Sequence, residues 1–247
     1  MRRQLAFGAA VIVLLMAPFL AAQTIYRLKG VTRTAKGTVT TSIAAEAVTG
    51  YRGEQFIGQK TLASESNEKG EWTLIGLTAG VWMFTASAPG TLPAVAVLPV
   101  KFAQRQMQSA QGGQLIWSLP LWLVSAEEVP ALAPAAPLIA EGRSLEALQL
   151  LAPALAADAT PLMQCAAGQM ALAIKQTGVA QQLFAAVQKA EPKNGCGPMG
   201  LASVAFLTND WDTASKMLWI ARDLVPRDQK PALASAIGEL QQVTALK

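Results

Sequence analysis

The stretch that decides the fold covers residues 161–228 and reads PLMQCAAGQMALAIKQTGVAQQLFAAVQKAEPKNGCGPMGLASVAFLTNDWDTASKMLWIARDLVPRD. Subtracting 34 from a position in its second half leads to a similar residue in its first half. A fixed period near 34 residues is typical of stacked helix–turn–helix units. The matched pairs are Ala180 with Ala214, Pro192 with Pro226, Gly168 with Ala202, Phe184 with Leu218 and Val187 with Ala221.

The residue types at these positions suit two helices packed against each other. Small residues let the helices approach closely, and Phe184 and Leu218 fill the space between units. Pro192 and Pro226 end the second helix of each unit, because proline lacks the N–H that a helix interior needs. With Asn209-Asp210-Trp211 at the turn between helices, the pattern resembles the tetratricopeptide repeat. The resemblance implies a module that carries peptides or holds complexes together and does no chemistry.

The same resemblance implies a concave groove lined by the first helix of each unit. The lining side chains carry no charge, so we expect an apolar groove that receives an apolar helix or strand of a protein partner. As an alternative, another part of this chain covers the groove, either a Pro- and Ala-rich linker or the β domain that precedes it. The predicted partner-binding residues are Leu162, Gln169, Leu172, Met199, Ser203 and Phe206.

The chain has two cysteines, Cys165 and Cys196. A pair of cysteines in an exported protein favours a disulfide. In the array that the resemblance implies, the first helices of adjacent units pack side by side, so we predict that the two sulfurs are bonded; two buried free thiols are the alternative. A catalytic thiol is not expected, because the chain has no histidine and no Cys-x-x-Cys motif.

Helical periodicity extends beyond the two clear repeats, over residues 139–247. Residues 142–157 are interpreted as the second helix of a degenerate first repeat, and residues 229–246 as the capping helix that such arrays need. Residues 126–138 place Pro130, Pro134 and Pro137 among alanines. This composition predicts a semi-rigid, extended linker.

Residues 25–125 alternate short strand and turn signals without a helical pattern, which predicts an antiparallel β-sandwich of about seven strands. The run NEKGEWTLIGLTAGVWMFTASAPG, residues 67–90, resembles the second half of carboxypeptidase regulatory-like domains, which are small transthyretin-like sandwiches. The resemblance implies the fold rather than an activity. The expected strands cover residues 37–43, 55–63, 71–75, 81–88, 93–102 and 114–124.

Several residues of this domain allow both a binding and a structural interpretation. Exposed indoles at Trp72 and Trp82 would stack on sugars, whereas their alternating strand positions favour the core. Residues 51–55 of a Gly-rich insert line either a ligand loop or a solvated loop. Pro120, beside Trp122, predicts an edge strand that is either a docking surface or packed against the next domain.

The first 22 residues are typical of an export signal. Arg2 and Arg3 precede an apolar run over residues 5–22. This pattern predicts a signal peptide, or an uncleaved anchor that would be the chain's only contact with the inner membrane. The body of the protein is therefore expected to be periplasmic or secreted.

Composition narrows the function classes further. Charged residues make up 15 % of the chain, the net charge is +4 and there is no basic cluster, so we expect no nucleic-acid partner. We find no phosphate-binding loop, no Gly-x-Ser-x-Gly elbow and no metal-ligand cluster, so we expect no cofactor, no metal and no enzyme activity. The predicted function is an exported, non-enzymatic binding or scaffold protein for protein–protein interaction in the bacterial cell envelope. The alternative is a carbohydrate-binding envelope protein, with a glycan bound by the sandwich.

Overall fold

The computed structural model describes residues 26–49, 61–100 and 118–244. In these ranges two β-sheets are followed by a series of helices, so the predicted order of a β part and then a helical part is confirmed. The leader (residues 1–22) and the Gly-rich insert (51–55) lie outside the described residues. The strands are β1 (Tyr26–Thr34), β2 (Gly37–Thr38), β3 (Ser42–Thr49), β4 (Thr61–Glu65), β5 (Glu71–Leu77), β6 (Gly80–Ser87), β7 (Ala94–Val100) and β8 (Ser118–Trp122).

Strand β1 is the centre of the first sheet. One edge of β1 pairs antiparallel with β5 and then with β2, and the other edge pairs with β8. The β1–β8 pairing is parallel, whereas an entirely antiparallel sandwich was predicted. A hairpin cannot join parallel strands, so parallel partners are usually far apart in sequence. Here Lys29 pairs with Ser118, and the local sequence around either residue does not indicate this pairing.

The second sheet has the strand order β4-β3-β6-β7, and all its pairings are antiparallel. Side chains from both sheets enter one apolar core. Leu28 and Leu74 contribute from the first sheet, and Ile43 and Phe84 from the second; each is at most 2 % exposed. The sheets therefore form a sandwich, as the turn and strand signals predicted.

Seven helices follow in the described part of the chain, preceded by a short 3-10 helix at Pro130–Leu132. Helix α6 begins and ends 34 residues after α4, and the last residues of α3 and α5 are also 34 apart. Each of these helices contacts the next in sequence. The helices are α1 (Ala135–Ala140), α2 (Ser144–Asp158), α3 (Pro161–Ala173), α4 (Thr177–Ala190), α5 (Cys196–Leu207), α6 (Trp211–Leu224) and α7 (Lys230–Thr244).

Phe184 of α4 packs tightly against the two helices beside it. Its ring is fully buried and lies on Gly168 of α3 and Gly200 of α5. A Cβ at Gly200 would lie 2.2 Å from a ring atom, and one at Gly168 would lie 2.8 Å away. Glycine at both positions therefore lets three helices meet around one aromatic side chain.

Strand β1 was not predicted, although it is the central strand of its sheet. Its exposed face carries Arg27, Lys29 and Arg33, and Gly30 interrupts its buried face. Glycine normally weakens a strand. Here a Cβ at Gly30 would lie 2.0 Å from the indole of Trp72, so the glycine makes room for that ring. The strand predicted over residues 37–43 covers β2 and only the start of β3, which continues to Thr49.

The predicted linker, residues 126–138, is not extended. It contains the 3-10 helix at Pro130–Leu132 and the first residues of α1. Pro130 begins the 3-10 helix and Pro137 lies in the first turn of α1. Proline is tolerated there because the first N–H groups of a helix have no intrahelical partner. A cluster of prolines is thus compatible with short helices as well as with an extended linker.

Candidate interaction site: the helical groove and strand β7

Strand β7 is the last strand of its sheet, yet all of its residues are buried. The N–H groups of Val95 and Val97 point away from β6, because both donate to helical side chains. Pro99 lies two residues further along the same edge and has no N–H to donate. The outer edge of β7 is therefore closed by proline and by helix contacts, which prevents it from pairing with another strand.

The helical side chains that close this edge come from α3 and α5. Gln169 Oε1 accepts a hydrogen bond from the Val95 N–H at 2.8 Å. Ser203 Oγ accepts one from the Val97 N–H at 3.3 Å and donates to the Met199 carbonyl at 3.1 Å. Two residues predicted to bind a partner thus bind a strand of the same chain.

The other predicted groove residues lie at different depths. Leu172 and Phe206 are each 1 % exposed, and Phe206 also makes an edge-to-face contact with Trp211, with the ring centroids 5.8 Å apart. Met199 is half-buried against the core, whereas Leu162 is 44 % exposed. In the structure the β-sandwich covers the groove, which is one of the coverings left open above. Binding of a separate partner by these residues stays a prediction.

Cys165 and Cys196 form a disulfide, as predicted, with their Cα atoms 6.2 Å apart. Cys165 lies one helical turn before Gln169 on α3, and Cys196 opens α5 two turns before Ser203. The bridge therefore ties together the two helices that hold the edge of β7. Disulfides persist in oxidising compartments, so this bond indicates an extracytoplasmic location.

Contacts between the sandwich and the helices continue outside the groove. Arg33 of β1 pairs with Asp228 at 3.3 Å, and Lys175 pairs with Glu46 of β3 at 2.5 Å. Gln229 donates from Nε2 to the carbonyl of Pro120 at 3.4 Å, so the predicted edge strand packs against the next domain. The ion pairs are partly exposed and add little stability individually.

An ion pair next to these contacts shifts the pKa values of its two partners. Lys36, in the turn between β1 and β2, pairs with Glu127, which follows β8. The hydrogen bond and charge of Glu127 raise the pKa of Lys36, and those of Lys36 lower the pKa of Glu127. Both side chains are exposed.

The tryptophans considered for sugar stacking lie inside the sandwich. Trp72 is 3 % exposed, and Trp82 is fully buried with its Nε1–H donating to the Thr78 carbonyl at 2.8 Å. Both tryptophans are therefore core residues of the sandwich, and neither exposes its ring for stacking on a sugar. Trp122 and Trp219 keep 39 % of their surface exposed, and the guanidinium of Arg222 lies 4.3 Å from the ring centre of Trp219.

The start of the helical part exposes three leucines, which we name the leucine stripe: Leu145 and Leu150 of α2 and Leu162 of α3. They are 49, 50 and 44 % exposed. The exposed residues between Leu145 and Leu150 are Glu146 and Gln149, whereas those that follow Leu150 on α2, at positions 152, 153, 156 and 157, are alanine and proline. Repeat arrays normally end in a helix with a polar outer face. The leucine stripe is therefore an unusual terminal surface.

The described residues show neither a metal site nor a membrane span. They contain no group of three or more Cys, Asp or Glu side chains arranged to hold a metal ion. None of their helices combines the length and the apolar character needed to cross a bilayer.

The chain matches no protein-family model, and it matches no curated protein. Solved structures with some likeness include a 3-chlorocatechol 1,2-dioxygenase from Rhodococcus opacus 1CP (10 % identity, TM-score 0.34, covering 42 % of this chain and 61 % of that one). The dioxygenase domain of a dioxygenase carbohydrate-binding protein fusion from Streptomyces sp. SirexAA-E gives 14 % identity and a TM-score of 0.31, over 42 % and 82 % of the two chains. The major pilin SpaD of Corynebacterium diphtheriae gives 7 % and 0.28, over 40 % and 30 %.

These comparisons correct one prediction. A chain that is not an enzyme was expected, but dioxygenases stand among the similar structures, so that expectation is wrong on this comparison. The matches do not assign a reaction to this chain, because the identities and TM-scores are low and about 61 % of the first dioxygenase is spanned.

Proposed function

We propose that this protein is an exported binding or scaffold protein that brings protein partners together in the bacterial cell envelope. The leucine stripe carries the proposal, because it exposes large apolar side chains at the end of a helical stack. In stacked arrays each helical unit buries its apolar face against the next one. The stripe therefore suits the apolar face of a partner helix.

The proposal includes a finer description of both parts of the chain. Helices α3–α6 form two tetratricopeptide-like units, supported by the 34-residue offset between α4 and α6 and by the buried pairs Ala180/Ala214 and Phe184/Leu218. The sandwich is of the carboxypeptidase regulatory-like kind. Residues 1–22 direct the chain to the periplasm or the exterior, or anchor it, and the disulfide is consistent with that route.

The charge of the leucine stripe limits which partner fits. The α2 helix has one acidic residue in its first turn, Glu146, and no basic residue in its last turn. Glu146 is already held by Arg143, which donates to both of its carboxylate oxygens at 2.8 and 2.6 Å. Residues 147–157 of α2 carry no charged side chain, so a partner helix would bind this segment by packing rather than by charge.

Site-specific photocrosslinking in intact bacteria tests the proposal. A photoreactive residue at Leu150 is expected to yield one discrete heteromeric product, whereas the same residue at Gln181, exposed on α4, yields none. Leu145→Glu with Leu162→Glu should abolish the product while the purified variant keeps its unfolding midpoint. Equal products from Leu150 and Gln181, or products made only of two copies of this chain, would contradict a scaffold role for the stripe.

A further inference from the structure

A groove of about 800 Å³ runs along the outer face of the first sheet. Alternation along β1 defines this face, since Leu28 and Thr32 are buried whereas Lys29 is exposed. β5, the end of β4 and the turn before β5 complete the walls. We name it the outer groove, and its charged lining residues are Arg27, Lys29, Arg33, Lys69, Glu65 and Glu71.

The outer groove has an excess of positive charge. Four cations and two carboxylates give a net charge of +2. Arg33 is occupied by Asp228, and Glu71 accepts a hydrogen bond from Asn67 Nδ2 at 3.0 Å. Arg27, Lys29 and Lys69 make no ion pair within the described residues. The groove can therefore accept negative charge from a ligand.

Arg27 has a further property that ordinary surface cations lack. Its Nε is buried and makes no hydrogen bond within the described part of the chain. A buried charged donor without an acceptor is unfavourable, and an anionic oxygen is the acceptor that forms the strongest hydrogen bond with it. Arg27 thus contributes a guanidinium donor that the described part of the chain leaves unsatisfied.

The spacing of the cations indicates the size of the ligand. Arg27, Lys29 and Arg33 lie on one face of β1 over six residue steps, which corresponds to about 20 Å at the rise of a β-strand. A single small anion contacts one end of this row at a time. A polymer with repeated negative groups contacts the unpaired Arg27 and Lys29 together and continues past Arg33, which Asp228 already holds.

The neutral and acidic lining residues indicate the chemical class. Glu65 and Glu71 repel any ligand that offers negative charge alone, but they accept hydrogen bonds from hydroxyl groups. Thr38, Ser64 and Thr73 add hydroxyls of their own to the lining. A ligand that combines many hydroxyls with regularly spaced carboxylates matches both sets of residues, and such a ligand is an acidic polysaccharide.

We propose that the outer groove binds a carboxylated polysaccharide, with Arg27 and Lys29 contacting its carboxylates. The inference does not depend on the protein partner proposed above, because the groove and the leucine stripe lie on different parts of the chain. It also differs from sugar stacking on Trp72 and Trp82, which are buried.

Fluorescence polarisation with a labelled oligogalacturonate and the purified full-length protein provides the test. Lys29→Gln is expected to weaken binding several-fold, and Arg27→Gln with Lys29→Gln by about tenfold or more, since each 1.4 kcal/mol lost is tenfold in affinity. The control is Lys189→Gln, which removes the same charge from an exposed site on α4 and is expected to leave the affinity unchanged. Circular dichroism checks that each variant is folded.

Competitors separate the ligand classes. Unlabelled oligogalacturonate should displace the label, whereas dextran, which is neutral, and polyglutamate, which has carboxylates but no sugar, should not. Equal competition by polyglutamate, or equal loss of affinity in Lys189→Gln, would show attraction to any polyanion and would overturn the proposal. No binding of oligogalacturonate, or unchanged binding by a folded Lys29→Gln protein, would also overturn it.

Discussion

At the scale of single residues, the packing of the helical part depends on glycines at two helix contacts. Phe184 is completely buried because Gly168 and Gly200 present bare backbone to its ring. Interiors of proteins are close-packed, so even one added methyl group at such a contact must displace something. An aromatic ring held from two sides by helices has little room to move.

Gly200→Ala is therefore expected to destabilise the protein by about 1–3 kcal/mol, the usual cost of overpacking a core. The added Cβ would lie 2.2 Å from the Phe184 ring. Urea unfolding of the two proteins measures the difference. Gly238→Ala is the matched control, since no atom beyond its chain neighbours and its own helix backbone lies within 4 Å of its Cβ position in α7, and alanine favours a helix by up to about 1 kcal/mol. Equal midpoints for Gly200→Ala and the unaltered protein would contradict the packing described here.

At the scale of elements, side-chain caps mark the first turn of two helices, α3 and α6. Asp210 caps α6 by accepting from the Thr213 N–H at 3.0 Å, and Thr160 caps α3 by accepting from the Met163 N–H at 3.2 Å. The hydrogen bonds from Thr213 lower the pKa of Asp210 below its ordinary value of 3.8. One of these caps thus titrates, and the other does not.

Asp210→Ala should reduce stability at neutral pH, and the loss should shrink as the pH falls below 3.8. The sign follows from the depressed pKa in the folded protein: the ionised cap stabilises above the unfolded pKa and loses this effect as the pH drops through the folded one. Thr160→Ala should show a loss of about 1 kcal/mol that is independent of pH. Urea midpoints measured from pH 7 down to about pH 3 distinguish the two. The same pH profile for both variants would refute the role of the Asp210 charge.

The edge of β7 gives a second prediction at this scale. Gln169→Leu keeps the apolar stem but leaves the Val95 N–H without its acceptor, which is expected to cost about 1–3 kcal/mol. Hydrogen exchange should show a faster rate at the Val95 amide. Gln182→Leu, exposed on α4, should change the stability by no more than about 0.5 kcal/mol. If the Val95 amide stays equally protected in Gln169→Leu, the contact with α3 does not hold the strand.

At the scale of the whole molecule, the sandwich and the helices share one apolar core. The buried cluster runs from Leu28 and Phe84 in the sheets to Leu172 and Phe206 in the helices. The disulfide holds α3 to α5, and both of these helices contact β7. Loss of the disulfide is therefore expected to destabilise both the helices and strand β7.

Replacing both Cys165 and Cys196 by serine is expected to lower the unfolding free energy by about 3–4 kcal/mol, because the bridge closes a segment of 31 residues in the unfolded chain. A reductant should lower the unfolding free energy of the unaltered protein by a similar amount and leave that of the double variant unchanged. This control separates the effect of the disulfide from the effect of the serine side chains. The amides of β7 should lose protection along with those of α3 and α5. A loss confined to the helices would contradict a shared core.

The sequence was most informative where structure is local. The prolines and small residues of the repeat predicted the ends of α4 and α6, because contacts along a helix recur every three or four residues. The bond between the two cysteines was predicted from the export signal and from the side-by-side helices that the repeat resemblance implies. The contact of Val95 with Gln169 joins residues 74 positions apart and has no such periodic signal. The sequence predicted that the candidate binding residues line one groove. It left open whether a partner, the linker or the β-sandwich covers that groove.

The parallel pairing of β1 with β8 has a consequence for how this protein is made. Lys29 cannot pair with residue 118 until almost half the chain has been synthesised. The edge of β7 can bind Gln169 and Ser203 only after those later residues have been made. Folding slows when contacts join distant parts of a chain. We expect the helices, with their short-range contacts, to form faster once they have emerged, and the incomplete sheets to need protection from aggregation until then.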